Sequence, residues 1–309
     1  MKEKNMIVIL GPTASGKTRI AALVANQLGG EIISADSRQI YRGMDLGTGK
    51  DIIDYTVDGK VVPHHLIDIR NAGERYSIFD FNRDFEAARV QIQQREKQVV
   101  VCGGSGMYLE TTLGLYTLKE APEDAAFREE AASMADADLI ALLQSISKTH
   151  NTSDLTDRSR LIRAIEVARV EASEDQKIKT SEGIISANLH HIFGISFPRD
   201  ETRQRITQRL EERLKNSMLN EVEKLLNSGI AAEDLIYYGL EYKYLTLYLT
   251  GKISYSDMFR MLNTAIHQFA KRQMTWFRRM EKKGLNIRWL DGRLGHEKCV
   301  EAILSESQE

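Results

Sequence analysis

Residues Met6–Leu10 form a continuous apolar run that stops at a glycine-bearing turn, the pattern of a parallel strand covered on both faces. From Thr18 to Leu28 the period changes. Ile20, Leu23, Val24 and Leu28 recur at helical spacing, and Gly29-Gly30 follows as a C-cap. EIISAD (from Glu31) and HHLIDI (from His64) are the next strand candidates. Ser77–Arg95 reads as a helix, Gln98–Cys102 as another buried strand, and HIFGISF, from His191, as a further one. Strands alternating with helices predict an α/β fold with a parallel sheet flanked by helices.

Two regions break that alternation. From Leu118 to about Ile185 the patterns are helical and no strand stands out, which predicts an inserted all-helical domain. After Phe197 the chain is helical again, over Glu201–Gly229 and Ser254–Lys283. The expected organisation is a core domain in two parts, 1–115 and 190–309, with the insertion at 116–189 and helices closing the C-terminal part. There is no internal repeat, and the four prolines mark no flexible linker.

Composition narrows little. The chain has 309 residues, 42% hydrophobic and 28% charged, with a net charge of −2, so any nucleic-acid site must be a local patch. Cys102 and Cys299 are too far apart for a metal knuckle or a disulfide framework, and read as reduced thiols. No apolar stretch approaches the roughly 18–20 residues of a membrane helix. The N-terminal apolar run leads directly into the turn, so it reads as a strand and not as a signal peptide. A cytoplasmic protein without membrane contact is expected.

The turn itself carries the strongest chemistry. Gly11, Pro12, Thr13, Ala14, Ser15, Gly16, Lys17 and Thr18 spell GPTASGKT, a full match to G-x-x-x-x-G-K-[ST] between a strand and a helix. Such a P-loop turns backbone N–H groups and a helix N-terminus toward anionic oxygens. Lys17 reaches the terminal phosphate oxygens, and the Thr18 hydroxyl is a ligand for Mg²⁺. The usual hydrolytic partner is hard to find: Asp68 in HHLIDI is one candidate, and the better strand, QVVVC, ends in glycines. Asp36 follows the second strand at the carboxyl edge, where open α/β sheets bind ligands. On position alone it reads as a cap, a metal ligand or a catalytic group.

In order along the chain, GPTASGKT, SADSRQIYRGMDLGTGK, HHLIDI, VCGGSGMYL and KRQMTWFR resemble the tRNA dimethylallyltransferase (tRNA isopentenyltransferase) family. The resemblance implies a P-loop NTPase-like core with a helical insertion. It implies transfer of a dimethylallyl group from dimethylallyl diphosphate to N6 of the adenosine immediately 3′ of the anticodon. The cradle would then hold a diphosphate with Mg²⁺, and Asp36 would be the general base toward the adenine amine. The resemblance places Ser37, Arg38 and Gln39 against the target base with Ser105, and Arg205 and Arg209 near the diphosphate. Arg128 and the stretch Ser159, Arg160, Leu161, Ile162 and Arg163 match tRNA-contacting positions of the insertion. The expected partner is the anticodon stem-loop, gripped by a monomer that flips the adenosine out of its stack. Two segments depart: YYGLEYKYL puts Glu241 near a position that is usually basic in the family, and HNTSDLTDRSR, from His150, lacks part of the family's D-x-x-R arrangement.

Other features keep two readings. His64 and His65 are strand-end polar residues or phosphate neighbours. Tyr237, Tyr238, Tyr242, Tyr244 and Tyr248 pack between helices or stack on bases. Trp276 has core spacing. Lys271, Arg272, Arg278, Arg279, Lys282 and Lys283 are a solvated face or a backbone-binding strip. An ATP-using P-loop kinase, an isopentenyltransferase acting on free AMP, and a non-catalytic RNA-binding switch are the competing functions.

Overall fold

The computed structural model describes residues 5–116, 121–146, 155, 158–171 and 186–307. The chain divides into two compact units, Met1–Gly114 with Ile184–Glu309, and Leu115–Gly183. The smaller unit begins one residue before the expected insertion, 116–189, and ends six residues before it.

In the larger unit, β1 (Ile7–Leu10) leads through the P-loop into α1 (Lys17–Leu28), and β2 (Glu31–Ala35) follows. A short 3-10 turn, Ile52–Tyr55, precedes the hairpin β3 (Thr56–Val57) and β4 (Lys60–Val61), and β5 is His64–His65. Then come α2 (Ile78–Gln94), β6 (Val99–Gly103) and α3 (Gly106–Thr112). The smaller unit holds α4 (Ala125–Ser133), α5 (Asp136–Ile146) and α6 (Arg158–Glu171). The larger unit resumes with β7 (His191–Ser196), α7 (Arg199–Lys215), α8 (Met218–Asn227), α9 (Ala232–Tyr237), α10 (Leu240–Leu249) and α11 (Tyr255–Lys282). It ends with β8 (Arg288–Asp291) and α12 (His296–Ser307).

Six strands form one parallel sheet in the order β5-β2-β6-β1-β7-β8. Every residue of β1, β2 and β6 is buried, which is why these strands read as apolar runs without alternation. Because all six run the same way, the turns after β1, β2 and β6 open at one edge. The β1–β6 pair is central there, since the chain winds outward from β1 in both directions.

Three local expectations change. HHLIDI is a strand only at His64–His65; Leu66 and Asp68 have φ of +62° and +55°, so the chain turns away before the aspartate. Asp68 is not a Walker-type acid at a strand end but a partner of the buried Lys50. The run Glu201–Gly229 is two helices, broken where Ser217 takes φ +72°. Strand β8 gave no apolar signal, because in RWLD only Leu290 is buried.

The smaller unit closes its own core with Phe127, Ala131, Leu139, Leu143, Leu161, Ile165 and Ala168. Parts of the expected helical stretch, at 117–120, 147–154, 156–157 and 172–185, lie outside the described residues.

Candidate active site at the carboxyl edge of the sheet

The P-loop is held open by left-handed backbone at Ala14 (φ +61°) and Gly16 (φ +76°). Gly11 lies so near β7 that a Cβ there would sit 2.6 Å from the Ile195 carbonyl oxygen. Ser15 Oγ is buried without a protein hydrogen-bond partner, a deficit that an anionic oxygen in the cradle would relieve. Lys17 donates from Nζ to the Pro12 carbonyl at 3.3 Å. Burial holds its ammonium below the ordinary lysine range, while Cys102 and Asp36 oppose that shift. Burial also pushes the Cys102 thiol up to about 11, so it is a neutral wall of the site and not a nucleophile.

Two expected arginines reach the loop region by different routes. Arg205 donates from Nε to the Ala14 carbonyl at 3.0 Å, with its guanidinium 4.1 Å from the Phe197 ring centroid. Arg209 is ion-paired with Asp51, and Arg213 meets the other Asp51 oxygen at 2.7 Å. Burial pushes the Asp51 carboxyl up, but the two guanidinium groups outweigh it and hold the group low. Thr13, Ala14, Arg209, Arg213 and Glu241 line one cleft, floored by Ile206, Leu210, Met218 and Ile266. Burial pushes the Glu241 carboxyl up in this cleft.

Asp36 sits partly exposed just past β2. Its Oδ1 accepts from the Arg38 N–H at 3.0 Å, an Asx turn that fixes the carboxylate. Ser37 N–H donates to Ser105 Oγ at 3.2 Å, so the turn after β6 supports the turn after β2. Arg38 also donates to the Tyr237 carbonyl at 3.3 Å. Gln39 is different: it is 7% exposed, accepts from Ser34 Oγ at 3.0 Å and reaches the Gly49 carbonyl at 3.4 Å. Its side chain holds the loop together.

No cluster of three or more His, Cys, Asp or Glu side chains that could hold a metal exists among the described residues. Mg²⁺ is commonly held by substrate phosphates, water and one or two protein oxygens. Thr18 at the first turn of α1 is a protein oxygen that could hold such an ion, and the orphaned Ser15 hydroxyl lies in the same loop.

In the smaller unit Glu166, buried, gathers Arg128 at 2.7 Å and Arg163 at 2.8 Å, and accepts from the Asp124 N–H at 3.1 Å. Arg128 and Arg163 keep more than a third of their side chains exposed. Ser159 and Arg160 are exposed, but Leu161 is 1% exposed and Ile162 packs on the same core. Among the expected contact residues, Leu161 is therefore a core residue, placed there by the helical period that leaves its neighbours outside.

The structure places several of the residues that kept two readings. His65 bonds Glu31 at 2.7 Å, and Glu31 also pairs with Arg95, so this histidine is structural. Tyr238 and Tyr242 are buried, and Tyr237 is 63% exposed. In the basic strip, Arg279 and Lys283 hold the buried Glu110, while Lys271, Arg278 and Lys282 are exposed. Trp276 is not fully core: it is half-buried, lies against Gly106, and carries Arg279 over its ring at 4.2 Å. Asp51, Arg213 and Gln273 belong to the site's frame and were not singled out from sequence. Asp51 and Arg213 carry no motif of their own, whereas Gln273 stands inside KRQMTWFR, a polar residue on an otherwise apolar helix stripe.

This edge defines a P-loop protein with a carboxylate poised beside its anion cradle. Residues 39–280 match the family described as IPP transferase, and the chain belongs to that family. It is 50% identical over 306 residues to tRNA dimethylallyltransferase 2 of Phocaeicola vulgatus, covering 99% of this chain and 98% of that one. It is 49% identical over 299 residues to tRNA dimethylallyltransferase 1 of Porphyromonas gingivalis, covering 97% and 98%. The crystal structure of the full-length tRNA isopentenylpyrophosphate transferase from Bacillus halodurans superposes with a TM-score of 0.69 at 28% identity, over 99% of this chain and 98% of that one.

Proposed function

We propose that the protein transfers a dimethylallyl group from dimethylallyl diphosphate to N6 of the adenosine immediately 3′ of the anticodon in tRNA, forming N6-(dimethylallyl)adenosine and releasing diphosphate. The observation that carries the reading is a juxtaposition: the P-loop after β1 and Asp36 after β2 share one sheet edge, with Lys17 and Asp36 close enough to feel each other's charge.

The chemistry follows from those two groups. The N6 nitrogen attacks C1 of the donor, the C1–O bond breaks, and its electron pair leaves on the diphosphate. An exocyclic amine is a poor nucleophile, and Asp36 takes the N6 proton as the C–N bond forms. Lys17, the loop amides and Arg205 neutralise the charge that develops on the leaving group. Thr18 would hold Mg²⁺, which when bound would supply Lewis-acid stabilisation of that leaving group. Arg38 and Ser105 flank the acceptor side, and in the smaller unit Arg128, Ser159, Arg160 and Arg163 are taken as contacts to the RNA. The enzyme is read as a cytoplasmic monomer; no described helix is long and apolar enough to cross a membrane.

The test is mass spectrometry of unmodified tRNA bearing adenosine 3′ of the anticodon, incubated with protein, Mg²⁺ and dimethylallyl diphosphate. A gain of one dimethylallyl group on that adenosine supports donor, acceptor and position together. Modification of AMP but not of tRNA would overturn the acceptor, and ATP consumption without prenyl transfer would overturn the donor.

A further inference from the structure

Helix α11 presents Ala270, Gln273, Phe277 and Met280 on one buried stripe, and Gln273 is its single polar member. A primary amide in such a stripe is costly unless every strong hydrogen-bonding group finds a partner. Gln273 finds two, both far away in sequence. Its Oε1 accepts from the Thr13 N–H at 2.9 Å, inside the P-loop. Its Nε2 donates to the Gly104 carbonyl at 2.9 Å, in the turn after β6. The partners fix the amide's orientation, because one is a donor and the other an acceptor. The approach is close enough that a Cβ on Gly104 would lie 2.5 Å from Nε2 and 3.0 Å from the Gly11 carbonyl oxygen. The residue after Gly104 is Ser105, whose hydroxyl accepts from Ser37 N–H beside Asp36. One buried amide therefore ties the donor cradle to the turn that supports the acceptor-side carboxylate.

We propose that Gln273 is a positioning residue for the transfer, setting the spacing between the phosphate cradle and the Asp36–Ser105 edge. This rests on the function proposed above. Neither hydrogen bond touches a reacting atom; both act through backbone groups of the two loops. A misplacement on the order of 1 Å costs about a hundredfold in rate for an aligned reaction. Binding of either substrate alone samples only one loop, so affinity should change much less than turnover.

The experiment compares wild type with Gln273→Glu and Gln273→Met. The glutamate keeps the acceptor for Thr13 N–H but sets a carboxylate oxygen against the Gly104 carbonyl. The methionine keeps the volume and loses both bonds. Three quantities are read: Tm, the Kd for dimethylallyl diphosphate with Mg²⁺ in the absence of tRNA, and single-turnover transfer well below each Tm. The expected result is a transfer rate lowered about ten- to a hundredfold in folded protein, with donor Kd within about threefold of wild type. A variant that folds and transfers at the wild-type rate overturns the proposal. So does a lowered Tm with unchanged rate, or failure of both variants to fold, since the amide would then serve stability alone. Wild-type protein that leaves tRNA unmodified would instead overturn the functional reading, before any variant is made.

Discussion

Replacing Asp36 by Asn separates chemistry from architecture more cleanly than replacing it by Ala. The Asx turn depends on Oδ1 accepting from Arg38 N–H at 3.0 Å, and an asparagine keeps that oxygen. Ser37 would stay on Ser105, so the edge keeps its shape. What is lost is an acceptor for the N6 proton. A positioned general base contributes about 10²–10⁴ in rate, which is about 3–5 kcal/mol of barrier at 1.36 kcal/mol per tenfold. We expect single-turnover transfer to fall about a thousandfold. Donor affinity should move little. Asp36 supports the charge on Lys17, and its loss weakens that support, but it also removes a negative charge near an anion site. These effects oppose, and a change within about threefold in the donor Kd is expected. The assay is rapid-quench transfer to tRNA with enzyme in excess, alongside calorimetric titration of dimethylallyl diphosphate with Mg²⁺. Transfer within tenfold of wild type would refute the assignment of Asp36 as base. Asp36→Ala, which also loses the Asx turn, should fall at least as far.

Lys17 gives a pH signature. Its pKa in the protein lies below 10.5, so its charge is lost at lower pH than that of a free lysine; donor affinity should weaken as pH rises through the alkaline range, and Lys17→Met should be weaker at pH 7.5 and lack that dependence in a Kd titration. Gly106→Ala sets a Cβ 2.3 Å from Trp276 Cγ, and thermal melts should show a loss of about 1–3 kcal/mol. Glu166→Ala strips Arg128, Arg163 and the Asp124 N–H of their shared acceptor and should cost about 2–3 kcal/mol by denaturant unfolding, mostly from the smaller unit. Burial pushes the Glu166 carboxyl up, but the two arginines outweigh it and hold the group low, so that contribution is present above the unfolded value of 4.5 and is lost as pH falls through the lower folded value; a wild-type and Glu166→Ala pair should converge in stability as the solution is acidified. Arg205→Ala frees the Ala14 carbonyl and removes a cation from the leaving group's side, so it should lower transfer at saturation more than it raises the donor KM.

The parts of this protein legible in sequence are those with a single physical cause. β1 and β6 read as strands because both faces are covered, and the P-loop reads as a cradle because its glycines and lysine have few other uses at that spacing. β8 was invisible because it is an edge strand with one buried residue. Residue roles were less legible than elements, for a related reason. Gln39 follows Ser37 and Arg38 in one segment, yet only the fold shows that it turns inward to Ser34 and Gly49. Leu161 lies within SRLIR, but the helical period puts it in the core of its own unit while Ser159 and Arg160 stay outside.

Gln273 joins these two observations. Sequence position gives a residue's neighbours along the chain, while its role is set by what meets it across 260 residues to Thr13 and 169 to Gly104. A motif such as KRQMTWFR therefore mixes positions of different kinds: Gln273 faces the two loops, Trp276 packs on Gly106, and Lys271 faces solvent. If the amide acts as argued, substitutions at Gln273 and at Asp36 should not add. A cradle held at the wrong spacing leaves less for the base to contribute, so the Asp36→Asn, Gln273→Glu double variant should lose less than the product of the single losses. Independent, multiplicative losses would mean that the two loops are aligned by something other than this amide.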